Sequence, residues 1–252
     1  MTFRKEMMMR LLLACFALLF SLGGMAADYQ REQRWADEVL PSVLVGDPVW
    51  LAQTNGHKFL GLYTAVAKVK VGLVIVHGIG VHPDWGLIGT LRQQLPDDGY
   101  ATLAIQMPVL QADARPEDYP PTFAESAERL RLAVEFLKDR GYARVAIVSH
   151  SLGTWMTYDY LIHQPASPVV AWVAIGAPNP FDLAKLKLPI LDLYGQNDLP
   201  HVAQGAKQRA MGLKQKGSTQ VMAPGADHFF TGQDAALREQ VRGWLDKTLA
   251  PQ

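Results

Sequence analysis

The chain has 252 residues, long enough for one large α/β domain with a substantial hydrophobic core. Its 24 Lys and Arg residues balance 24 Asp and Glu residues, and the sequence contains no basic block. This composition gives no electrostatic basis for binding nucleic acid. The sequence also has no internal repeat and no low-complexity tract.

The first 26 residues have the pattern of a secretory signal peptide. A basic start precedes an apolar run at 11–22, and Gly24-Met25-Ala26 supplies small residues for cleavage. We expect cleavage after Ala26, a periplasmic or secreted protein, and no stable membrane span afterwards. An uncleaved anchor is one alternative, although the run is shorter than the ~20 residues that a span needs. Lipidation of Cys15 is another, although most of the apolar region follows that residue.

Cys15 is the only cysteine, so a chain cut after Ala26 has no thiol for a disulfide, a nucleophile or a metal site. His57, His163 and His201 have no partners at ligand-like spacing, and no metal site is evident. We therefore expect neither a metal nor a cofactor. Residues 27–252 are expected to form a single domain.

Strand and helix patterns alternate along this part of the chain. Polar residues 28–40 predict a short amphipathic helix, and two apolar runs around Asn55-Gly56 predict a β-hairpin. The later elements are predicted from apolar runs and helical spacing. Strands are expected at 71–76, 101–105, 143–148, 169–175, 189–194 and 219–222, and helices at 87–95, 123–139, 154–163, 202–213 and 237–245.

A hairpin followed by repeated strand–helix units predicts an α/β fold with a mostly parallel central sheet and helices on both faces. Ligands of such sheets bind at the carboxyl ends of the strands. Four polar sites follow predicted strand ends: His77-Gly78, Ser151, Asp198 and His228. We expect the functional site where they meet.

Ser151 has the surroundings of a nucleophile elbow, a sharp strand-to-helix turn that exposes a serine. Small residues, Ser149 and Gly153, stand two positions before and after it, where larger side chains would collide with the neighbouring strand and helix. In such a turn the Leu152 N–H faces a developing oxyanion. The pattern alone also fits an ordinary serine-rich turn.

A serine hydroxyl needs a neutral imidazole to take its proton and a carboxylate to orient that imidazole. Asp198 and His228 follow two successive strands after Ser151, in the chain order of α/β-hydrolases. Asp192 is the rival acid, but its place inside a strand favours a structural role. Asp227 is interpreted as a turn residue.

The segment His77-Gly78-Ile79-Gly80 follows an earlier strand, where a second oxyanion N–H is needed. We assign that N–H to Ile79, with Gly78 as the neighbouring alternative. His77, Gly78, Gly80 and His150 are candidates for the pocket, although core packing explains His150 equally well. His82, Asp84 and Trp85 are interpreted as part of a structural turn around Pro83, and a role in the substrate wall is the alternative.

From residue 49 to residue 249 the chain resembles the α/β-hydrolase superfamily. The segments 77–85 and 149–153 are similar to DUF3530, a family of exported bacterial proteins of unassigned function. The superfamily resemblance implies a Ser-His-Asp hydrolase, and the narrower family adds no substrate. The short gap between Ile175 and Pro189 leaves little room for a cap, so we expect an open site.

These features lead to an exported serine hydrolase that cleaves a carboxylic ester or thioester through an acyl-enzyme. Its substrate is expected to be a small molecule or an acylated larger one. An amidase or peptidase with the same triad is one alternative. A non-catalytic envelope-binding module is another, because the fold hosts many functions.

Overall fold

In the computed structural model, the described residues are 27–250, so the expected signal peptide lies outside them. Eight strands form one sheet with the order β1-β2-β4-β3-β5-β6-β7-β8. The strands are β1 Asp47–Ala52, β2 Lys58–Thr64, β3 Val71–Val76, β4 Ala101–Ile105, β5 Arg144–His150, β6 Val169–Ile175, β7 Ile190–Asn197 and β8 Thr219–Asp227.

The expected hairpin is formed by β1 and β2, which pair antiparallel around a turn where Gly56 has a φ of +87°. Strand β2 also pairs antiparallel with β4, and every pairing from β4 onward to β8 is parallel. Strand β3 is buried along its whole length, as its continuous apolar sequence predicts. The mostly parallel sheet is confirmed.

Six helices are described, and they cover both faces of the sheet. Their bounds are α1 Tyr29–Val39, α2 Gly86–Gln94, α3 Phe123–Asp139, α4 Leu152–His163, α5 Pro200–Gly212 and α6 Asp234–Thr248. Helices α3 and α4 contribute to one apolar core, and α1, α2 and α6 contribute to a second. The sheet separates these two cores, which is the layered arrangement that the alternating pattern predicts.

The last two strands are longer than the sequence indicated. Strand β7 continues to Asn197 because Gly195 lets the chains approach closely, and a Cβ there would lie 2.4 Å from the Ala226 carbonyl oxygen. Strand β8 continues through Pro224, which a strand at the edge of a sheet tolerates. The two extensions end at Asn197 and Asp227, so Asp198 and His228 each directly follow a strand.

The connection from β6 to β7 contains only one short 3₁₀ turn, Leu183–Lys185. The carboxyl end of the sheet therefore carries no cap domain at this position, as expected. Within residues 27–250, none of the helices combines the length and the apolar character needed to cross a bilayer.

Candidate active site

Ser151 lies in a strained turn between β5 and α4. Its φ of 52° and ψ of −126° are unusual for a residue with a side chain, and they mark a sharp reversal of the chain. A Cβ at Gly153 would lie 2.3 Å from the His77 carbonyl oxygen, so only glycine allows this close approach. The local geometry is that of a nucleophile elbow.

Ser149 occupies the position where glycine is usual in this turn. Its side chain is fully buried, and its Oγ accepts a hydrogen bond of 2.8 Å from Trp172 Nε1. The hydroxyl is therefore satisfied inside the sheet. The serine at this position leaves the elbow intact.

Three sequence-predicted residues meet at the carboxyl ends of β5, β7 and β8. Ser151 Oγ lies 2.9 Å from His228 Nε2, and His228 Nδ1 lies 2.6 Å from Asp198 Oδ1. In the tautomer that satisfies both contacts, Nδ1–H donates to the carboxylate and Nε2 accepts from the serine hydroxyl. This arrangement can transfer a proton from Ser151 to His228 while Asp198 holds the ring.

The Asp198 carboxylate is held by its own turn. It accepts backbone hydrogen bonds from Gly195 at 3.1 Å and from Leu199 at 2.8 Å. Burial alone would raise the pKa of Asp198, but the hydrogen bonds from His228, Gly195 and Leu199 outweigh it and lower the pKa. The carboxylate is therefore ionised at neutral pH and can stabilise an imidazolium.

Asp192, the rival acid, lies away from the histidine and pairs with Arg209. The Arg209 Nε lies 2.9 Å from Asp192 Oδ2, and both side chains are fully buried. Arg209 also donates to the Ala177 carbonyl at 3.0 Å. Asp227 accepts from the Phe229 and Thr231 N–H groups at 3.0 and 2.9 Å, as a turn residue does.

The His77 side chain holds the segment His77-Gly78-Ile79-Gly80 in place through contacts with backbone atoms. His77 Nδ1 lies 2.8 Å from the Gly78 carbonyl oxygen, and its Nε2 accepts from the Met107 N–H at 2.9 Å. Burial lowers the pKa of His77 to about 3, so the ring is neutral. These contacts fix the peptide groups next to Ile79.

Helix α1 holds the same segment from the other side. Arg31 Nη2 donates to the Gly80 carbonyl at 3.1 Å, and Nη1 donates to the Leu110 carbonyl at 2.6 Å. Gly80 has a φ of +64°, which a residue with a side chain adopts only at a cost. The Arg31 guanidinium thus bridges the segment to a second loop.

His150 both belongs to the core and faces the site. It is only 2% exposed, and its Nε2 lies 3.0 Å from the His228 carbonyl oxygen. Burial, followed by repulsion from a charged His228, lowers the pKa of His150 to about 3. The neutral ring therefore donates Nε2–H to the backbone of the residue whose side chain contacts Ser151.

A cavity of about 360 Å³ opens beside Ser151. Of the expected pocket residues, Gly78 and His150 line it, but His77 and Gly80 do not. His77 is buried behind the segment, and the Gly80 carbonyl is turned to Arg31. Several wall residues were not predicted as pocket residues. The walls comprise Gly78, Ile79, Val81, Trp85, Pro116, His150, Ser151, Leu152, Pro178, Leu199, His201, His228 and Phe229.

Ile79 and Leu152 both lie in the cavity wall next to Ser151. Leu152 is the first residue of α4, so its N–H has no acceptor within the helix. A carbonyl oxygen beside Ser151 could accept from this N–H.

Within residues 27–250, no group of three His, Cys, Asp or Glu side chains could hold a metal ion.

Solved structures with the same fold include several hydrolases. The dienelactone hydrolase of Anabaena variabilis is 22% identical with a TM-score of 0.64, and the match covers 80% of this chain and 98% of that one. Est1E of Butyrivibrio proteoclasticus is 14% identical with a TM-score of 0.64, over 81% and 99% of the two chains. XC6422 of Xanthomonas campestris, an α/β serine hydrolase without a lid, is 16% identical with a TM-score of 0.65, over 83% and 98%.

The fold is therefore that of the α/β hydrolases. Residues 28–128 and 122–247 match the family described as "Protein of unknown function (DUF3530)", and the chain belongs to that family. A comparison with curated proteins finds no match.

Proposed function

We propose that this protein is a serine hydrolase that cleaves a carboxylic ester or thioester through an acyl-enzyme. The observation that carries the proposal is the continuous hydrogen-bonded series from Ser151 through His228 to Asp198, with distances of 2.9 and 2.6 Å. The series begins at a strained serine beside an open cavity. Strain at a serine in such a place is typical of a nucleophile.

In the proposed reaction, Ser151 Oγ attacks the carbonyl carbon while its proton moves to His228 Nε2. Asp198 stabilises the imidazolium that forms. The tetrahedral oxyanion faces the N–H groups of Leu152 and Ile79, each contributing about 3 kcal/mol. The proton then passes to the leaving alcohol or thiol, and His228 activates a water that releases the acid and restores Ser151.

Hydrolysis of p-nitrophenyl acetate by the purified protein tests this proposal. We expect turnover by the wild type and a loss of at least a thousandfold in Ser151→Ala. Ser42→Ala is the matched control, because Ser42 is exposed and lies outside the cavity. Equal rates in wild type and Ser151→Ala would contradict the proposal. Turnover of p-nitroanilides in place of esters would favour the amidase alternative.

We also propose that the protein is exported and that cleavage occurs after Ala26. The signal-like pattern of residues 1–26 supports this location. Asp28 donates its N–H to the Val109 carbonyl at 2.7 Å and caps α1 by accepting from the Arg31 N–H at 2.9 Å. A chain that begins at Ala27 keeps both contacts. The amino-terminal sequence of the periplasmic protein should read Ala-Asp-Tyr, whereas a full-length cytoplasmic chain would contradict export.

A further inference from the structure

Large apolar side chains are partly exposed at the mouth of the cavity. Trp85 is 38% exposed, Leu199 is 39% exposed and Phe229 is 47% exposed, and all three line the cavity beside Ser151. A cluster of exposed apolar side chains next to a reactive group usually marks a binding surface, whereas apolar side chains scattered singly need no functional explanation. Within residues 27–250, no other part of the chain fully covers these side chains.

Two of these side chains form a right-angled corner. The Trp85 and Phe229 rings lie 5.5 Å apart with an angle of 77° between their planes. Phe229 is also held edge-to-face against the His228 ring at 5.1 Å and 76°. A third planar ring placed in such a corner can stack on one ring while it meets the other edge-to-face, and both are favoured arrangements.

In the part of the chain that the structure describes, the cavity wall contains no Lys, Arg, Asp or Glu side chain. Its polar groups are three histidines, Ser151, the Trp85 indole N–H and backbone atoms. A carboxylate or phosphate on the substrate would lose its hydration in this cavity without gaining a charged partner. The wall therefore favours an uncharged group.

We infer that the corner formed by Trp85 and Phe229 binds a planar aromatic group of an uncharged ester substrate. This inference rests on the proposed function, because it places the aromatic group beside the ester that Ser151 attacks. Trp85 and Phe229 are then the specificity-determining residues. An aromatic group stacked here contributes about 0.5–1.5 kcal/mol beyond its burial, which corresponds to about a two- to tenfold preference.

The test compares ethyl 3-phenylpropanoate with ethyl 3-cyclohexylpropanoate and ethyl 3-(4-carboxyphenyl)propanoate. The cyclohexyl ester is the more hydrophobic of the first two, so a pocket that selects only by hydrophobic burial would prefer it. We expect kcat/KM to be about two- to tenfold higher for the phenyl ester and lowest for the carboxylated one. Preference for the cyclohexyl ester would overturn the inference.

Variants then assign the preference to the corner. Trp85→Ala should bring the phenyl-to-cyclohexyl ratio of kcat/KM to about one or below, mainly through KM. Trp50→Ala is the matched control, because Trp50 is 44% exposed on β1 and lies outside the cavity. A general defect in folding lowers both rates by the same factor, so the ratio reports only on the folded enzyme that remains. An unchanged ratio in Trp85→Ala would overturn the inference.

Binding separates this inference from the proposed function. The two esters are titrated into Ser151→Ala and followed by ligand-observed NMR. Stronger binding of the phenyl ester, lost in Ser151→Ala/Trp85→Ala, supports the aromatic site even if the wild type hydrolyses nothing. Turnover of p-nitrophenyl acetate without any preference for the phenyl ester would overturn the inference and leave the proposed function standing.

Discussion

At the scale of single residues, the two candidate acids can be separated by paired substitutions. Asp198→Asn should lower kcat for ester hydrolysis by roughly 10³–10⁴-fold with little change in stability, because the amide favours the wrong histidine tautomer. Asp192→Asn should instead cost about 3–5 kcal/mol of stability, because it leaves the buried Arg209 guanidinium without its carboxylate. Rates and urea unfolding measure the two effects. A larger loss of kcat in folded Asp192→Asn would reverse the assignment.

Gly153, two residues after Ser151, gives a second prediction at this scale. Gly153→Ala should misplace Ser151 and lower kcat at least a hundredfold, because its Cβ would lie 2.3 Å from the His77 carbonyl oxygen. Gly243→Ala in α6 is the control, since the nearest atom to its Cβ would be 3.9 Å away. That control should match wild type in activity and gain up to about 1 kcal/mol of stability. An active Gly153→Ala enzyme would show that the elbow is not as tight as the structure indicates.

At the scale of elements, helix α1 is expected to act on the site through one side chain. Arg31→Met removes the hydrogen bonds to the Gly80 and Leu110 carbonyls, so the segment that carries Ile79 loses a support. We expect kcat to fall about tenfold with a smaller change in KM, because the N–H donors become less well placed. Arg34→Met on the same helix is the control, since Arg34 is exposed.

A purely structural role for Arg31 predicts a different effect of Arg31→Met. It would lower the melting temperature while the remaining folded enzyme kept its kcat. Arg31→Lys retains the positive charge but cannot donate to both carbonyls with the geometry of a guanidinium. It should therefore recover only part of the wild-type kcat. Full recovery by lysine would contradict the bridging role of the guanidinium.

The sequence predicted most elements because their patterns are local. The helix at 123–139 and the strands at 101–105 and 169–175 have the predicted bounds. Strands β7 and β8 were predicted too short, because their ends pair through a close approach at Gly195 that no apolar pattern reveals. A short apolar run followed by glycine and polar residues is read as a turn unless the neighbouring strand is known.

The polar site could be proposed from the sequence because its residues follow strand ends in a fixed order. The apolar wall could not be, since it combines distant loops. Phe229 and Leu199 directly follow His228 and Asp198, so proximity to those residues was an available signal for them. Trp85 was interpreted first as a turn residue, with a substrate-wall role as the alternative, and only the folded segment shows it in the cavity wall beside Phe229.

At the scale of the whole molecule, two buried histidines predict acid sensitivity. His77 and His150 have pKa values of about 3, well below the ordinary value of about 6.5. Between these values the unfolded chain binds more protons than the folded one, so stability falls as the pH is lowered from about 6.5 towards 3. Each histidine contributes a slope of up to about 1.4 kcal/mol per pH unit.

Urea unfolding at a series of pH values measures this slope. His150→Gln should show a shallower decline than wild type, whatever its stability at neutral pH. His163→Gln is the control, because the side chain of His163 is 68% exposed. A slope in His150→Gln equal to that of wild type would mean that His150 is protonated in the folded protein.

The central claim is that Ser151 is the nucleophile of a working triad. A fluorophosphonate reacts with an activated serine hydroxyl and leaves a stable covalent phosphonyl ester. We predict one adduct per chain by intact mass spectrometry, located on the peptide that contains Ser151 and absent from Ser151→Ala. Labelling of Asp198→Asn should be much slower, because the histidine is no longer held in its productive tautomer. An unlabelled wild-type protein, or an adduct on another residue, would contradict the account.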